Sequence, residues 1–366
     1  MLWISIFLAL FIVWTVLNLS FLPKLNGKKP VAEQPLISVL VPMRNEARNV
    51  KNCVHMLKNL TYEHLEILIY EDQSTDQTFS LLQEAIGQDT RFQIIPGVPL
   101  QKGWVGKVHA CHQLRQYAKG DYLCFVDADV TLHPDVLSHS LEQAVHKKAA
   151  LLTGFPKFSY SNWLDQLVIP MMHFIVYVHL PIALANLTKI PATSAANGTF
   201  MFFKTASYDQ IGGHQAVKQS LVEDIQMART MKKNGFRVLL LNVTDHVSCK
   251  MYETNKETWE GFSKNMFVGI GQSIPLAIGI TAFYTFFYVM PLFYLVYGIV
   301  VWEPLFMLPY ALTVIHRAIC DQTSKTPLYY SLFVPLSSLL LLAILWRSVY
   351  LSGNGKVYTW KGRSYE

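Results

Sequence analysis

Charge is what this sequence holds least of. Lys, Arg, Asp and Glu together make up 15% of its 366 residues, against about a quarter in ordinary soluble domains. With 51% hydrophobic residues, that shortage excludes a uniformly soluble chain, and the apolar excess collects at the two ends. Paired cysteines are missing too. The five present (Cys53, Cys111, Cys124, Cys249, Cys320) are odd in number and form no CxxC, which argues against a disulfide framework or a zinc site and for reduced, structural thiols. No internal repeat and no low-complexity segment occurs. The net charge of +6 suits an anionic membrane surface or small anion, and no basic stripe for nucleic acid stands out.

No Lys or Arg precedes Lys24, and Leu2 to Leu22 is uncharged. That run is long enough to cross a bilayer. A cleaved signal peptide would need a basic start and a small-residue cleavage site, so residues 1–23 are expected to be a transmembrane anchor. Lys24, Lys28 and Lys29 follow it, which by the positive-inside rule puts the following domain in the cytoplasm. Apolar sequence returns after Asn265. Ser273 to Val301, Leu305 to Ile319 and Leu328 to Leu345 read as three crossings within a C-terminal membrane region, 272–347, the middle one short. The tail, 348–366, is basic (Lys356, Lys361, Arg363, with Arg347 just before it) and would prefer the cytoplasm. One anchor plus three crossings would put it on the other side, and the sequence leaves that conflict open. The protein is expected to be a multi-pass cell-membrane protein.

Between the ends, residues 36–265 read as one cytoplasmic domain. Ile37–Val41, Glu66–Tyr70, Phe92–Ile95 and Tyr122–Val126 have the look of buried strands, separated by helices near Val50–Leu60, Thr78–Ala85, Val108–Tyr117 and Val136–His146. That alternation predicts an α/β fold with a mainly parallel, Rossmann-like sheet. Such sheets bind ligands beyond the carboxyl ends of their strands. The apolar stretch 163–187 contains His173, His179, Pro170 and Pro181, and reads as an interfacial segment better than as a span.

Acidic residues gather at that carboxyl edge. Glu71-Asp72 closes the second strand, and Asp127-Ala128-Asp129 closes the fourth. Two carboxylates in a DxD can address one hard cation, Mg²⁺ or Mn²⁺, together with the phosphates it bridges. A pair of solvated turn aspartates would look the same in isolation. Asp72 on the same edge favours the first reading. Val41-Pro42-Met43-Arg44-Asn45-Glu46 follows the first strand, where a loop meets a base or ribose. Gly106-Lys107 opens a helix, which suits a diphosphate, though a lone lysine is as readily a surface residue. Glu223-Asp224 starts an amphipathic helix. Its acids suit the helix dipole, or Asp224 serves as a general base for an acceptor hydroxyl.

In this order, Val41 to Glu46, Glu71 to Asp76, Gly106-Lys107, Asp127-Ala128-Asp129 and Val222-Glu223-Asp224 resemble family 2 glycosyltransferases of the GT-A fold. The resemblance covers about residues 36–265. It implies that Asp72, with Pro42 and Glu46, receives the nucleotide. It further implies that Asp127 and Asp129 hold ribose and a metal on the diphosphate, and that Asp224 is the base of an inverting transfer. Trp104 to Cys111, Gly212-Gly213-His214 and Trp360 to Tyr365 look more like the glycosyltransferases of bacterial glycosyl carotenoids of the staphyloxanthin type, while the layout of spans is similar to ceramide glucosyltransferases. The implied donor is a UDP-sugar, UDP-glucose first, and the implied acceptor is a hydrophobic lipid, a carotenoid carboxylic acid or else a hydroxyl-bearing lipid. Polysaccharide-making relatives carry QxxRW, which is missing here; Lys264, in Trp259 to Asn265, stands where a positive charge on the leaving diphosphate would be supplied, or is a membrane-flanking lysine. That departure favours a single transfer over a processive synthase.

Other signals carry less. Gly269-Ile270-Gly271 leads into a span and is no dinucleotide fingerprint. Asn59, Asn186, Asn197 and Asn242 match the glycosylation pattern by chance, in a domain placed in the cytoplasm. His109, His214 and His246 read as packing histidines, with His246 a conceivable extra metal contact. A nucleotidyl- or phosphosugar-transferase also needs a metal–diphosphate edge but not the late Glu-Asp pair. In a non-enzymatic membrane protein the acidic pairs would be dispensable.

Overall fold

The computed structural model describes residues 1–27, 31, 33–353, 358–360 and 363–365. Lys28, Lys29, Lys356 and Lys361, on which the reading of sidedness partly rests, lie outside them. The chain forms two compact units. A helical unit gathers Met1–Phe21, Phe158–Pro181 and Lys250–Tyr358, and a sheet unit is built from Leu22–Lys157 and Ile182–Cys249. Phe158–Pro181 and residues 250–265, expected from sequence to belong to a single stretch 36–265, pack instead with the helical unit. The reason is their apolar content: Leu164 and Val168 bury against Ile344, with Trp259, Phe262 and Met266 around them.

The helical unit starts with α1 (Leu2–Leu19). Three of its polar side chains reach neighbours, while the Ser5 hydroxyl is buried without a partner among the described residues. Asn18 Nδ2 donates to the carbonyls of Tyr177 and Leu180 at 2.8 and 2.7 Å, Thr15 Oγ1 lies 2.8 Å from His316 Nε2, and Trp14 Nε1 donates to Val178 O at 2.9 Å. An apolar solvent favours such pairing.

The sheet unit follows the sequence pattern closely over its first half. Strands β1 (Ile37–Met43), β2 (Leu65–Glu71), β3 (Phe92–Pro96) and β4 (Tyr122–Val126) alternate with helices α2 (Val50–Lys58), α3 (Thr78–Ile86) and α4 (Gly106–Tyr117). Short β5 (Val130–Leu132), α5 (Val136–Lys147) and β6 (Leu151–Thr153) come next, and the two-residue β7 (Lys157–Phe158) marks where the chain leaves the unit. After the return come α8 (Ile182–Leu187), β8 (Phe200–Lys204), α9 (Thr205–Gln210), α10 (Glu223–Lys233), β9 (Val238–Leu240) and β10 (Val247–Cys249). The main sheet has the order β3-β2-β1-β4-β8-β6-β9. β1 to β4 are parallel neighbours, whereas β8 runs antiparallel to both β4 and β6. One face of the sheet packs Leu40, Leu68, Phe125 and Phe203 against Val108 and Leu114 of α4 and Met227 and Met231 of α10. Area removed from water by these side chains is worth about 1.5–3 kcal/mol each. All five cysteines are buried and unbridged.

Between the two visits to the sheet unit lie α6 (Trp163–Val168) and α7 (Pro170–His179). α7 ends where Leu180 turns extended ahead of Pro181, because a residue before proline avoids the helical region. The 163–187 stretch is therefore three short helices, none near the roughly 20 residues a crossing takes. The helical unit closes with α11 (Asn255–Gly269), α12 (Ile274–Tyr284), α13 (Met290–Val301), α14 (Leu308–Thr323) and α15 (Val334–Gly353). A π-turn at Thr285–Val289 joins α12 to α13. Among the described residues three helical runs are long and apolar enough to cross a membrane: Leu2–Leu19, Ile274–Val301 and Leu328–Gly353. The middle crossing expected at Leu305 to Ile319 is not one of them. Its helix, α14, is 16 residues long and carries Arg317, fully buried, with Nε 2.7 Å from Asp321 Oδ1.

Candidate functional site

Register decides what meets at the sheet edge. β1 and β2 end level, Met43 beside Glu71, so the residues that follow them, Arg44 to Glu46 and Asp72 to Asp76, leave from one edge. Pairing of β1 with β4 stops at Leu40 and Phe125, two residues short of Pro42, which has no N–H to give a neighbour there. Asp127 and Asp129 follow β4 at the same edge. Because β8 is antiparallel, its first residue, Phe200, pairs with Val126, and Asn197-Gly198-Thr199 enters β8 beside the DxD.

The two loops after β1 and β2 are tied together. Arg44 Nη1 donates to the carbonyls of Asp72 and Gln73 at 2.5 and 2.8 Å, and Asn45 Oδ1 accepts from the Thr75 amide at 2.8 Å. Thr78 Oγ1 accepts from the Glu46 amide at 2.8 Å. Asn45 and Gln73 both have positive φ, a conformation sustained only by surrounding constraints. Asp72 is buried. A Cβ on Gly97 would come within 2.9 Å of Asp72 Cα and closer still to the Glu71 carbonyl, so only glycine lets the end of β3 pass this loop. Glu46 is buried and accepts from Asn49 Nδ2 at 2.7 Å.

The second cluster is built on helix N-termini. Lys107, in the first turn of α4, places Nζ 2.7 and 2.9 Å from the two carboxylate oxygens of Asp127 and 3.3 Å from Glu223 Oε1. Burial works against the charge on Lys107, but the Asp127 and Glu223 carboxylates outweigh it and hold its pKa well above the usual lysine value. Asp224, next to Glu223 at the start of α10, accepts the Gly198 amide on Oδ2 at 3.0 Å and the Ile225 amide on Oδ1 at 2.7 Å. Burial, and after it the Glu223 carboxylate, raise the Asp224 pKa to about 7; the Ile225 amide, Lys107 and the Gly198 amide pull the other way. A carboxylate so poised can take a proton near neutral pH.

Asp129 engages the Cys249 thiol of β10, which burial first, and then the Asp129 and Asp127 carboxylates, keep protonated. The Cys53 thiol is pushed up to about 12 by burial, with the Glu46 and Asp129 carboxylates adding to it. Among the described residues no group of three or more His, Cys, Asp or Glu is arranged to hold an ion. Two carboxylates on adjoining turns nevertheless suit Mg²⁺ or Mn²⁺, which takes one or two protein oxygens and completes its shell with phosphate and water. The donor set fits a metal that arrives with its nucleotide.

Asp72, Pro42, Glu46, Lys107, Asp127, Asp129 and Asp224 thus all belong to the edge of one sheet unit. Lys264 belongs to the helical unit, on α11. Glu223, Gly198 and Cys249 were not singled out from sequence as site residues. Gly198 could have been: a glycine just before an apolar strand marks close backbone approach, and a Cβ there would sit 3.0 Å from Lys107 Nζ and 3.3 Å from Glu223 Oε1. The sequon-like Asn197 and Asn242 are turn formers, each accepting from the amide and hydroxyl of the Thr two residues on. His214 is buried, 2.6 Å from Tyr208 Oη, and burial lowers its pKa to about 3. His246 lies 2.8 Å from His139, a packing partner, and is not grouped with the aspartates.

Comparison with known proteins agrees with this geometry. Residues 38–212 match the family described as "Glycosyl transferase family 2", a span that includes Asp72, Lys107, Asp127 and Asp129 and stops short of Asp224. The chain is 24% identical to a 4,4'-diaponeurosporenoate glycosyltransferase of Staphylococcus haemolyticus (strain JCSC1435) over 284 residues, 73% of this chain and 71% of the relative. It is 25% identical to the putative teichuronic acid biosynthesis glycosyltransferase TuaG of Bacillus subtilis (strain 168) over 236 residues, 62% of this chain and 86% of the relative. Among solved structures it is similar to the mannosyltransferase PcManGT from Pyrobaculum calidifontis in complex with GDP-Man and Mn2+, with a TM-score of 0.56 at 14% identity over 96% of this chain and 99% of that one. The fold is GT-A-like α/β with a mostly parallel sheet.

Proposed function

Because residues 38–212 form a family 2 glycosyltransferase domain, we propose that the protein transfers a hexose, glucose first, from a UDP-sugar to a lipid-soluble acceptor at the cytoplasmic face of the membrane, inverting the anomeric carbon. The observation that carries this reading is the cluster Asp127–Lys107–Glu223 beside Asp224–Gly198. Lys107, a cation suited to a diphosphate, and Asp224, a weakly acidic carboxyl, stand together there, which supports the reading. Asp72, with Pro42 and Glu46, receives the base and ribose. Asp127 and Asp129 hold the ribose and the Mg²⁺ or Mn²⁺ on the diphosphate. A divalent ion held there would supply neutralising charge at the leaving group. Lys107 exchanges Glu223 for phosphate oxygens. Asp224 removes the acceptor hydroxyl's proton as its oxygen bonds to the anomeric carbon and the bond to UDP breaks.

The similarity to a diaponeurosporenoate enzyme favours a carboxylic acid as acceptor. The raised pKa of Asp224 favours a hydroxyl-bearing lipid, since only a hydroxyl needs a base of that strength. A count of the three apolar runs supports this sidedness. With α1 crossing inward, Ile274–Val301 outward and Leu328–Gly353 back, the basic tail returns to the cytoplasm, which removes the conflict that an α14 crossing would create. The test is incubation of purified protein with a panel of radiolabelled nucleotide sugars and a total lipid extract. Label in one lipid band, from one UDP-sugar, is the expected result; label released only as free sugar or sugar phosphate would overturn the reading.

A further inference from the structure

Within the helical unit, α7, α11, α12 and α15 border an open-sided cavity of about 660 Å³. Met172, Met266, Phe283 and Leu341 supply its walls, and among the described residues no Lys, Arg, Asp or Glu lines it. Its most polar wall is self-satisfied, with His179 Nε2 3.1 Å from Tyr284 Oη. Three glycines also line it: a Cβ on Gly269, at the end of α11, or on Gly279, in mid-α12, would meet no atom within 4 Å, whereas one on Gly261 would run into the Tyr252 ring. Neither Gly269 nor Gly279 carries a side chain that would narrow the space.

We infer that this cavity holds the single apolar chain of the acceptor lipid, a deepening of the lipid-transfer reading on which it rests. Its size lies within the range of ligand pockets, roughly 300–1,000 Å³. A methylene takes up about as much room as a water's share of the liquid, roughly 30 Å³, so the cavity holds on the order of twenty chain carbons, the content of one long chain. The absence of charge excludes a phosphate or other ionic headgroup, whose burial would be costly. A lining of this kind stays dry, and each buried methylene is worth about 0.8 kcal/mol. Methionine walls adapt to chains of differing shape.

The probe is a photoactivatable single-chain fatty alcohol, long or short, applied to the full-length protein in lipid nanodiscs. Long-chain probe is expected to label peptides of α7, α11 and α12. Gly269→Leu and Gly279→Leu, which fill the cavity, should cut that labelling about tenfold or more and raise KM for a long-chain acceptor by a similar factor, with little change for its short-chain counterpart. Gly269→Ala and Gly279→Ala add one methyl to open space and should retain labelling, which separates filling from misfolding. Unchanged labelling and KM in both leucine variants would overturn the inference, as would equal competition by a two-chain phospholipid, which would make the cavity a site for bulk lipid. Glycine-dependent labelling with no sugar transferred to any lipid would sustain the chain site and overturn the transfer reading.

Discussion

The Gly198 amide donates to Asp224 Oδ2 at 3.0 Å, fastening the loop that enters the antiparallel strand β8 to the first turn of α10. Asp224 is thereby held by two backbone amides while its neighbour Glu223 takes the lysine that faces Asp127. Glu223, the carboxyl nearest the positive charge, is an ion-pair partner, and Asp224 beside it is the carboxyl we propose as base.

Asp224→Asn is expected to discriminate acceptors. With an alcohol acceptor, loss of the base should lower kcat/KM by about 10²–10⁴-fold. A carboxylic acid, pKa about 4, arrives ionised and should lose much less. Kinetics with an alcohol and a carboxylate of the same chain measure the difference. Equal, near-complete loss for both would assign Asp224 to geometry and remove it as base.

The acid limb of kcat/KM should lie near pH 7, where Asp224 ionises. Its folded pKa is above the ordinary carboxyl value, so the proton is bound more tightly in the native state. Stability from this group is present at low pH and is lost as pH rises from about 4 to about 7, while activity rises over the same window. Glu223→Gln removes a repelling charge and should move the acid limb to lower pH. A limb that stays in place, or moves up, contradicts the assignment.

Activity should require a divalent cation and disappear in Asp129→Asn. The variant should still fold, since Asn can accept from the Cys249 thiol. Full turnover in excess chelator would show that Asp127 and Asp129 serve some other purpose.

Gly213→Ala should destabilise the sheet unit by about 1–3 kcal/mol. Gly213 has φ of +50° and a Cβ there would run into the Tyr208 ring, which carries the bond to His214 beneath β4. The midpoint of thermal unfolding in detergent checks this, and an unchanged midpoint would mean that the loop relaxes freely.

Cysteines placed at Ser161 and at Lys189 flank α6 to α8 and should both label from the cytoplasmic side. Labelling from opposite sides would make 163–187 a crossing and separate donor from base.

Much of the first half of the sheet was legible because its signals are local. Apolar runs at Ile37, Glu66 and Tyr122 end in Pro42, Asp72 and Asp127, and the observed strands stop there or within a residue or two of there. β8 was not legible. Phe200 to Lys204 is apolar whichever way it runs, and only pairing with β4 on one side and β6 on the other makes it antiparallel. The 305–319 stretch was ambiguous for a related reason: its apolar residues suit a crossing or a buried helix alike, and the 16-residue helix formed there carries the buried Arg317–Asp321 pair.

By itself the sequence determined the residue types at the strand ends, the apolar segments and the order of the motifs, since periodicity and composition act over a few residues. Tertiary structure alone decided that Glu223 rather than Asp224 meets Lys107, that Gly198 joins the site and that Cys249 faces Asp129. Those contacts join residues far apart along the chain. Their geometry depends on strand register and on which helix N-terminus packs beside which strand, and no local pattern encodes either.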